Sequence, residues 1–584
     1  MTKNLFHLVP SGFMRPAAYG LIAAASLGFV GCIDDKYDLS DIDTNVRLEV
    51  KDLTLPINLD KIELKSIISD PKEGDILQIV DGEYALLRDG DFKSSNLKVD
   101  PITIAAPTTT PSTSVFRPEL PSGAPAKAMP TQVSFYIHDK ESSPIDYDYS
   151  GVSEEIVSID GLGATWAINY HVTVQATGNN TSTFYLKHFV FQLPSGLEGT
   201  PSIGSYDRTT GLLTIDDYRI TDNKLDFIMN VTGIDASQAH VKFDATSHTL
   251  KINTATGVVD GEIVLELDDI STTGIPSELR VSTDLVLSEI VINNFSGKIK
   301  YDIDAFNIAP VKLNDLPDVL SQAGTDIKLA NPQIYIRIEN PFTEYGIHAT
   351  TAFEIVPTRD GVAQAPLAIN DGVFTITSAA ESFYCLSPVK PAKYYEGYAT
   401  ADYVPYTALS KVVAGDGLPE SLDIKLDPTM VPVQQVTGFR LGEYAPVKGE
   451  YVFFSPLALG AGSKIVYSST EDGWADDDLN KLTIKGLKVS TEITNDLPFD
   501  ITLSAKPLST SGPIEGASIT PVTVKGGSSE NITIEVTGTI THLDGIEFTA
   551  NATSDADASS LKPTQTITLK NTKVTVSGYY DDEL

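Results

Sequence analysis

Apolar and polar residues alternate with period two along most of this chain, and helical periodicity is almost absent. Val, Ile, Thr and Tyr fill the alternating runs while Gly, Pro, Asn and Asp separate them, a pattern that predicts many short antiparallel strands. In "DILQIVDGEYALL", Asp81-Gly82 supplies the two positive-φ positions of a type I′ hairpin turn. "ENITIEVTGTI" and "TQTITLKNTKVTVSGYY" alternate strictly, so the chain is expected to close on a strand. In "ATWAINYHVTVQATGNNTSTFYLKHFVFQL" a turn at Asn179-Asn180 predicts a hairpin. That register sets Trp166, Ile168, Tyr170, Val172 and Val174 opposite Leu193, Phe191, Phe189, Lys187 and Tyr185, with Lys187 snorkelling at an edge. The same register places His171 directly opposite His188 on the polar face, and it fails if the two imidazoles lie on opposite faces.

Segments that break the alternation divide the chain. Residues 1–31 hold Lys3 and Arg15 and then the small, apolar run Ala17 to Val30, too short for a confident bilayer span and built like a secretory signal. An acidic tether, 32–50, leads to an N-terminal β unit at 51–104. Residues 105–131, rich in Pro, Thr, Ser and Ala, read as a linker or long loop. Sandwiches are then expected at 132–285, 286–470 and 471–584. The fold class is all-β: several tandem antiparallel β-sandwich, immunoglobulin-like domains after a cleaved signal.

The signal ends "GFVGC", which resembles a bacterial lipobox, with Phe29 where the pattern usually has Leu. The resemblance implies cleavage before Cys32 and lipidation of that residue, hence an outer-membrane anchor through the N-terminal lipid. Asp34, Asp35 and Asp38 follow, continued by Asp41 and Asp43. "CIDDKYDLSDIDTNVRLEV" resembles the start of uncharacterised surface lipoproteins of Bacteroidota, in which such a run acts as an export signal. This implies an address facing the cell exterior, not an activity; a solvated spacer is the plainer reading of the same acids. Further on, "EIVINNFSGKIKYDID", "QIYIRIENPFTEYGIHATTAFEI" and "LKVSTEITNDLPFDITLSA" share a strand ending in Asn, a turn and another strand. The middle one, with Asn340-Pro341-Phe342, is similar to the Asn-Pro turn of late-embryogenesis-abundant group 2 sandwich domains, although any tight β connection favours these residues.

Charge and composition narrow the chemistry. A formal net charge of -36 leaves no cation cluster for phosphate, so nucleic acid is not an expected partner. With only two cysteines, a lipidated Cys32 leaves Cys385 as a small buried apolar residue. "DIDTN" and "WADDDLNK" start like calcium loops but carry Val46 and Lys481 where the sharp turn needs Gly, and both lack the closing Glu. His171 and His188 lack a third ligand, so no metal and no cofactor is expected. There is no G-x-S-x-G, H-E-x-x-H or Walker motif, and 78 acidic residues make any carboxylate pair uninformative about glycoside hydrolysis. "YYEGYATADYVPY" gathers Tyr394, Tyr395, Tyr398, Tyr403 and Tyr406, and Trp474 stands in "EDGWADDD". These form the candidate binding surface for a glycan or protein, unless the rings fold back to plug a sheet. The expected role is non-catalytic: binding, adhesion or envelope structure. The alternatives are a glycan-binding accessory lipoprotein of a polysaccharide uptake system, a fimbrial subunit and, last, a hydrolase.

Overall fold

The computed structural model describes residues 45–583 apart from 58–60, 69–70, 73, 120–131, 138–142, 179–182, 239–240, 267–274, 301–305, 314–315, 323, 367–372, 413–417, 431–432, 474–481 and 557–559. The period-two signal translates into strands: Lys224–Asp235 buries every second side chain along most of its length, as a strand with one face on a core must. The Asp81-Gly82 turn is present, with φ 53° and 82° and with Val80 facing Glu83 across it.

The strands assemble into three sandwiches of one topology. In the first, positions one to eight are Ser112–Phe116, Gln132–Ile137, Ile156–Thr177, Phe184–Gln192, Leu212–Ile220, Lys224–Asp235, Thr249–Glu266 and Glu278–Leu287. In the second they are Glu83–Lys93, Val311–Lys312, Gln333–Glu339, Ala349–Arg359, Val373–Ile376, Glu381–Ser387, Ser421–Met430 and Lys448–Pro456. In the third they are Asn45–Ile57, Ser463–Glu471, Leu482–Asn495, Asp500–Ser509, Val522–Val524, Ser528–Thr537, Gly545–Ser554 and Thr566–Glu583. In each, one sheet runs 1-8-3-6 and the other 2-7-4-5, all antiparallel.

This is the strand order of a jelly roll, in which a paired ribbon of strands wraps around two facing sheets. The all-β multi-sandwich class expected from the sequence is therefore present, while the immunoglobulin order of strands is not.

The three rolls are nested. Residues 112–287 lie inside the connection between strands one and two of the second roll, and residues 83–456 lie inside the same connection of the third. Hence 51–104 is not a β unit of its own. Its strands join the third roll, the second roll and, through Ile102–Ile104, the strand Ile290–Ile299 beside the first. The expected linker 105–131 contains the first strand of the first roll, paired Leu279↔Phe116. Strand Ser463–Glu471, expected at the end of a second sandwich, is the second strand of the third. Composition failed here because a strand that completes a distant sheet carries no local mark of its partner.

The expected hairpin at 179–180 is also absent, and the turn residues themselves lie outside the described part. Ile156–Thr177 and Phe184–Gln192 belong to opposite sheets. Trp166, Ile168, Tyr170, Val172 and Val174 are buried as expected, but Phe191 lies across the sandwich from them, its ring 5.3 Å from that of Tyr170. A bulge between Leu186 and His188 turns Lys187 outward onto Asp217. His171 and His188 therefore point away from each other, onto Asp226 at 2.8 Å and Asp216 at 2.6 Å.

Two of the three Asn-ending strands do make the expected turn, by one mechanism. Asn340 Oδ1 accepts from Phe342 N at 2.9 Å while its Nδ2 donates to Ile347 O and Thr377 O. Asn495 Oδ1 accepts from Leu497 N at 3.0 Å while Nδ2 donates to Phe499 O and Val524 O. Each Asn closes a turn and ties strand three to strand four and to the strand-five region, satisfying carbonyls that the sheet crossing leaves unpaired. The first of the three, at Asn293-Asn294, lies within the strand Ile290–Ile299.

Neighbouring rolls are joined. Strand Ile290–Ile299 pairs with Gln434–Arg440, which belongs to a connection of the second roll, and an aromatic stack of Phe439, Tyr345 and Tyr444 seals that junction. The second and third meet where Asp326 bridges Lys464 and Tyr84 N donates to Leu561 O at 2.8 Å.

Nesting has a consequence that a linear string of domains lacks. Deleting 566–583 removes the strand that sits between Asn45–Ile57 and Leu482–Asn495. Hydrogen-exchange protection is expected to vanish at 45–57 together with 482–554, while strands of the first two rolls keep theirs. Continued protection at 45–57 would contradict the nested path.

Candidate functional site

The site builds on the outer face of the 1-8-3-6 sheet of the second roll. Strand Gln333–Glu339 is buried on both faces over most of its length, the signature of a strand covered from both sides. The cover comes from the connection after Glu381–Ser387, which holds most of the tyrosine-rich stretch. Asp402–Pro405 adds to the sheet edge as a parallel strand, with Tyr403 beside Cys385. The segment before it turns twice, through Tyr398 N to Tyr395 O and Ala401 N to Tyr398 O, both 3.0 Å, and lies down on the sheet.

Tyr335 is the centre of this contact. Its ring lies 5.1 Å from Tyr398, 6.0 Å from Tyr395 and 6.3 Å from Tyr394. Its hydroxyl donates to Gln333 Oε1 at 2.5 Å and accepts from Tyr395 N at 3.0 Å, so both roles of a buried phenol are met. Tyr395 also packs on Phe454 at 5.3 Å and Tyr398 on Phe383 at 5.9 Å. Cys385 is fully buried beneath this layer, and burial pushes its thiol pKa up. Burial likewise raises the phenol of Tyr398 to about 12, with Glu450 adding to the effect.

The five tyrosines thus divide. Tyr394 and Tyr395 are half-buried and keep part of each ring at the surface. Tyr403 is half-buried at the sheet edge, its hydroxyl on the carbonyls of Ser387 and Pro388. Tyr398 is only 7% exposed. Tyr406 points into the core of the roll against Phe353, 5.3 Å away, and its buried hydroxyl has no hydrogen-bond partner among the described residues. Tyr398 and Tyr406 therefore serve packing, which corrects their place on a binding surface. Cys32, Asp34, Asp35, Asp38 and Trp474 lie outside the described residues. Sequence reasoning missed Tyr335, Phe383 and Phe454, although three consecutive apolar residues, Ile334-Tyr335-Ile336, were the available signal for a strand covered on both faces.

Beyond Phe383 the face is open and charged. Arg337 reaches Glu381 at 2.8 Å and both Glu339 and Glu450 at 3.2 Å. Hydrogen bonds that Arg337 donates to Glu381 and Glu450 hold the guanidinium in its charged form against partial burial. Beside it runs a shallow groove of about 810 Å³ bordered by Asp91, Lys93 and Lys448. Among the described residues no three His, Cys, Asp or Glu side chains are grouped to hold a metal. No helix there is long and apolar enough to cross a membrane.

No family model matches the chain, and no curated protein matches it. Among solved structures it is similar to a protein described as secreted, from Parabacteroides distasonis ATCC 8503, with 15% identity over 49% of this chain and 89% of that one and a TM-score of 0.35. A second is the N-terminal CBM22-1-CBM22-2 tandem domain from Paenibacillus barcinonensis Xyn10C, with 11% identity over 48% of this chain and 87% of that one and a TM-score of 0.14. A third is infectious bursal disease virus Gx strain, with 10% identity over 74% and 82% and a TM-score of 0.12. Scores this low carry no argument about fold or function.

The two buried tyrosines make opposite predictions. Tyr398→Ala is expected to cost about 3 to 5 kcal/mol in chemical denaturation, as truncation of a buried aromatic does. Tyr406→Phe is expected to be neutral or stabilising by about 1 kcal/mol, because it removes a buried hydroxyl that makes no hydrogen bond. A strongly destabilised Tyr406→Phe would mean that this hydroxyl has a partner.

Proposed function

We propose that this protein is a lipid-anchored, non-catalytic binding protein of the bacterial cell surface, held in the outer membrane through Cys32 with its body facing the exterior. The observation that carries the reading is the point where the tether enters the fold. Asn45, the first described residue after the acidic run, pairs with Glu583 at the edge of the third roll. Residues 32–44 reach at most about 45 Å when fully extended, so a lipid on Cys32 keeps the third roll nearest the membrane. The nested path then puts the second roll beyond it and the first farthest along, although the first is made from the middle of the sequence.

The chemistry of the covered face supports binding over catalysis. The Cys385 thiol is buried, and burial favours its protonated, unreactive form. Arg337 is engaged by three carboxylates. What the face offers a ligand is the exposed part of Tyr394 and Tyr395, amphipathic rings already fixed by packing. A second reading, a glycan-binding accessory role, draws on the same rings as stacking platforms.

The anchor is tested by metabolic labelling with an alkyne fatty acid. Wild type is expected to take up label and to be cut by protease added to intact cells. Cys32→Ser is expected to lose both the label and the membrane fraction, and Asp34→Ala/Asp35→Ala/Asp38→Ala to keep the label but lose surface exposure. Label persisting in Cys32→Ser sinks the lipoprotein reading.

A further inference from the structure

We infer that residues 389–401 form a lid hinged at both ends, which lifts from the outer sheet face of the second roll as a unit while the roll stays folded. The tyrosine face thereby alternates between a covered and an open state. The use of the lid rests on the binding reading above; its opening does not.

The first observation is how the segment is held. At one end Val389 N donates to Asn331 Oδ1 at 3.2 Å, and Val389 O accepts from Asn331 Nδ2 and Ser387 Oγ. At the other end Val404 and Tyr406 are set in the main core of the molecule. Between residues 390 and 400 one hydrogen bond among the described residues ties the backbone to the sheet, from Tyr395 N to Tyr335 Oη at 3.0 Å. The remaining backbone bonds, at Tyr398 N and Ala401 N, close turns inside the segment. Lys393 reaches Asp81 at 2.6 Å, but both groups are exposed and such a pair contributes little.

The second observation is that the packing under the lid is separate from the core. Tyr335, Cys385, Tyr398, Ala401 and Val452 form their own buried cluster, to which the lid contributes only Tyr398 and Ala401. Satellite clusters of this kind lie beneath long surface loops. Lifting the lid gives up that cluster and one hydrogen bond, while the sheet below keeps its inward set of Ile334, Ile336, Tyr384 and Leu386 in the main core. Segments with few buried contacts and exposed backbone open at a lower free energy than the whole fold.

The third observation is what the lid covers. On the outer face Arg337 stands between Glu450 and Phe383, and in the next row Tyr335 stands between Val452 and Cys385. The groove bordered by Arg337 and Glu450 stops short of the Tyr335 row. With the lid lifted it continues over Tyr335 and Val452, so a ligand that favours the open state meets an aromatic floor as well as charged groups.

Cys385 reports on the lid, because its thiol is fully buried beneath it and is alkylated only when uncovered. The mature chain in detergent micelles is treated with iodoacetamide across a urea series. Labelling is read by mass spectrometry on the peptide that carries Cys385, and hydrogen exchange of strand Gln333–Glu339 is followed in parallel. Cys385 is expected to label through an opening whose urea slope is less than about a third of that for exchange of the strand, since the slope scales with the surface exposed. Tyr335→Phe, which removes the acceptor for Tyr395 N, is expected to speed labelling about three- to tenfold, and Lys393→Gln about twofold. Thermal melts verify that both variants fold. Equal slopes for Cys385 and the strand overturn the proposal, since the thiol is then reached only by unfolding the roll. Labelling without urea at the rate of the unfolded chain overturns it too, because the lid then never closes, and so does an unchanged rate in both variants. None of these readouts involves a ligand, so a lid that opens while no ligand is found counts against the binding reading alone.

Discussion

The hydrogen-bonded ladder between the first and last strands of each roll is the contact on which the rest of the structure depends. In the third roll it runs from Asn45↔Glu583 to Ile57↔Thr572, with a bulge between Val50 and Leu53 where Asp52 adopts φ 50°. The last strand is the middle of the sheet, since Val574 faces Leu55 on one side and Val489 on the other. Without it Asn45–Ile57 loses its sheet and Leu482–Asn495 keeps only Ser528–Thr537 as a partner. The same clasp recurs between Glu83–Lys93 and Lys448–Pro456 and between Ser112–Phe116 and Glu278–Leu287. Within each roll this pairing spans the longest sequence separation, so its loop-closure entropy is met only after local contacts have formed. The innermost roll has the shortest such span, and closure from the inside outward follows from that order.

What the sequence revealed and what it concealed divide along one physical line. Alternation reports which face of a strand is buried, and it identified the inward set from Trp166 to Val174 and the closing strand Thr566–Glu583 correctly. It does not report the neighbour on either side, because hydrogen-bond partners are backbone groups that every residue possesses. For that reason Phe184–Gln192 read as a hairpin partner of Ile156–Thr177, when each strand instead covers the apolar face of the other from the opposite sheet. Local turn chemistry was legible where the side chain itself makes the turn, as at Asp81-Gly82 and Asn340. The nested path left no local trace, since every clasp joins residues that turn chemistry cannot connect.

The candidate site follows the same division. Five tyrosines in thirteen residues were visible as a cluster, but their roles depend on Tyr335, some sixty positions earlier and in another element. Only its ring decides that Tyr398 is covered while Tyr394 and Tyr395 keep an exposed edge. Tyr406 shows the limit most plainly, because three residues after Tyr403 the chain has passed from the outer face of the sheet to the interior of the roll.

Nesting also determines how a load crosses the molecule. With the chain held at Cys32 as proposed, a pull on the second or first roll runs along the N-terminal strands Asn45–Ile57 and Glu83–Lys93 toward Ser112–Phe116. Each strand in this path is loaded from both of its ends and held from the side by the last strand of its roll. The third roll therefore carries tension in one strand, while its other seven hang on that strand through the clasp. In a linear string of domains the full load would pass through the first and last strands of every sandwich and work to separate them. Here the strand Thr566–Glu583 braces the load path from the side and is not part of it. Under the proposed anchoring, the tyrosine face of the second roll is joined to Cys32 by a spine of strands whose sandwiches brace it without being stretched between their own ends.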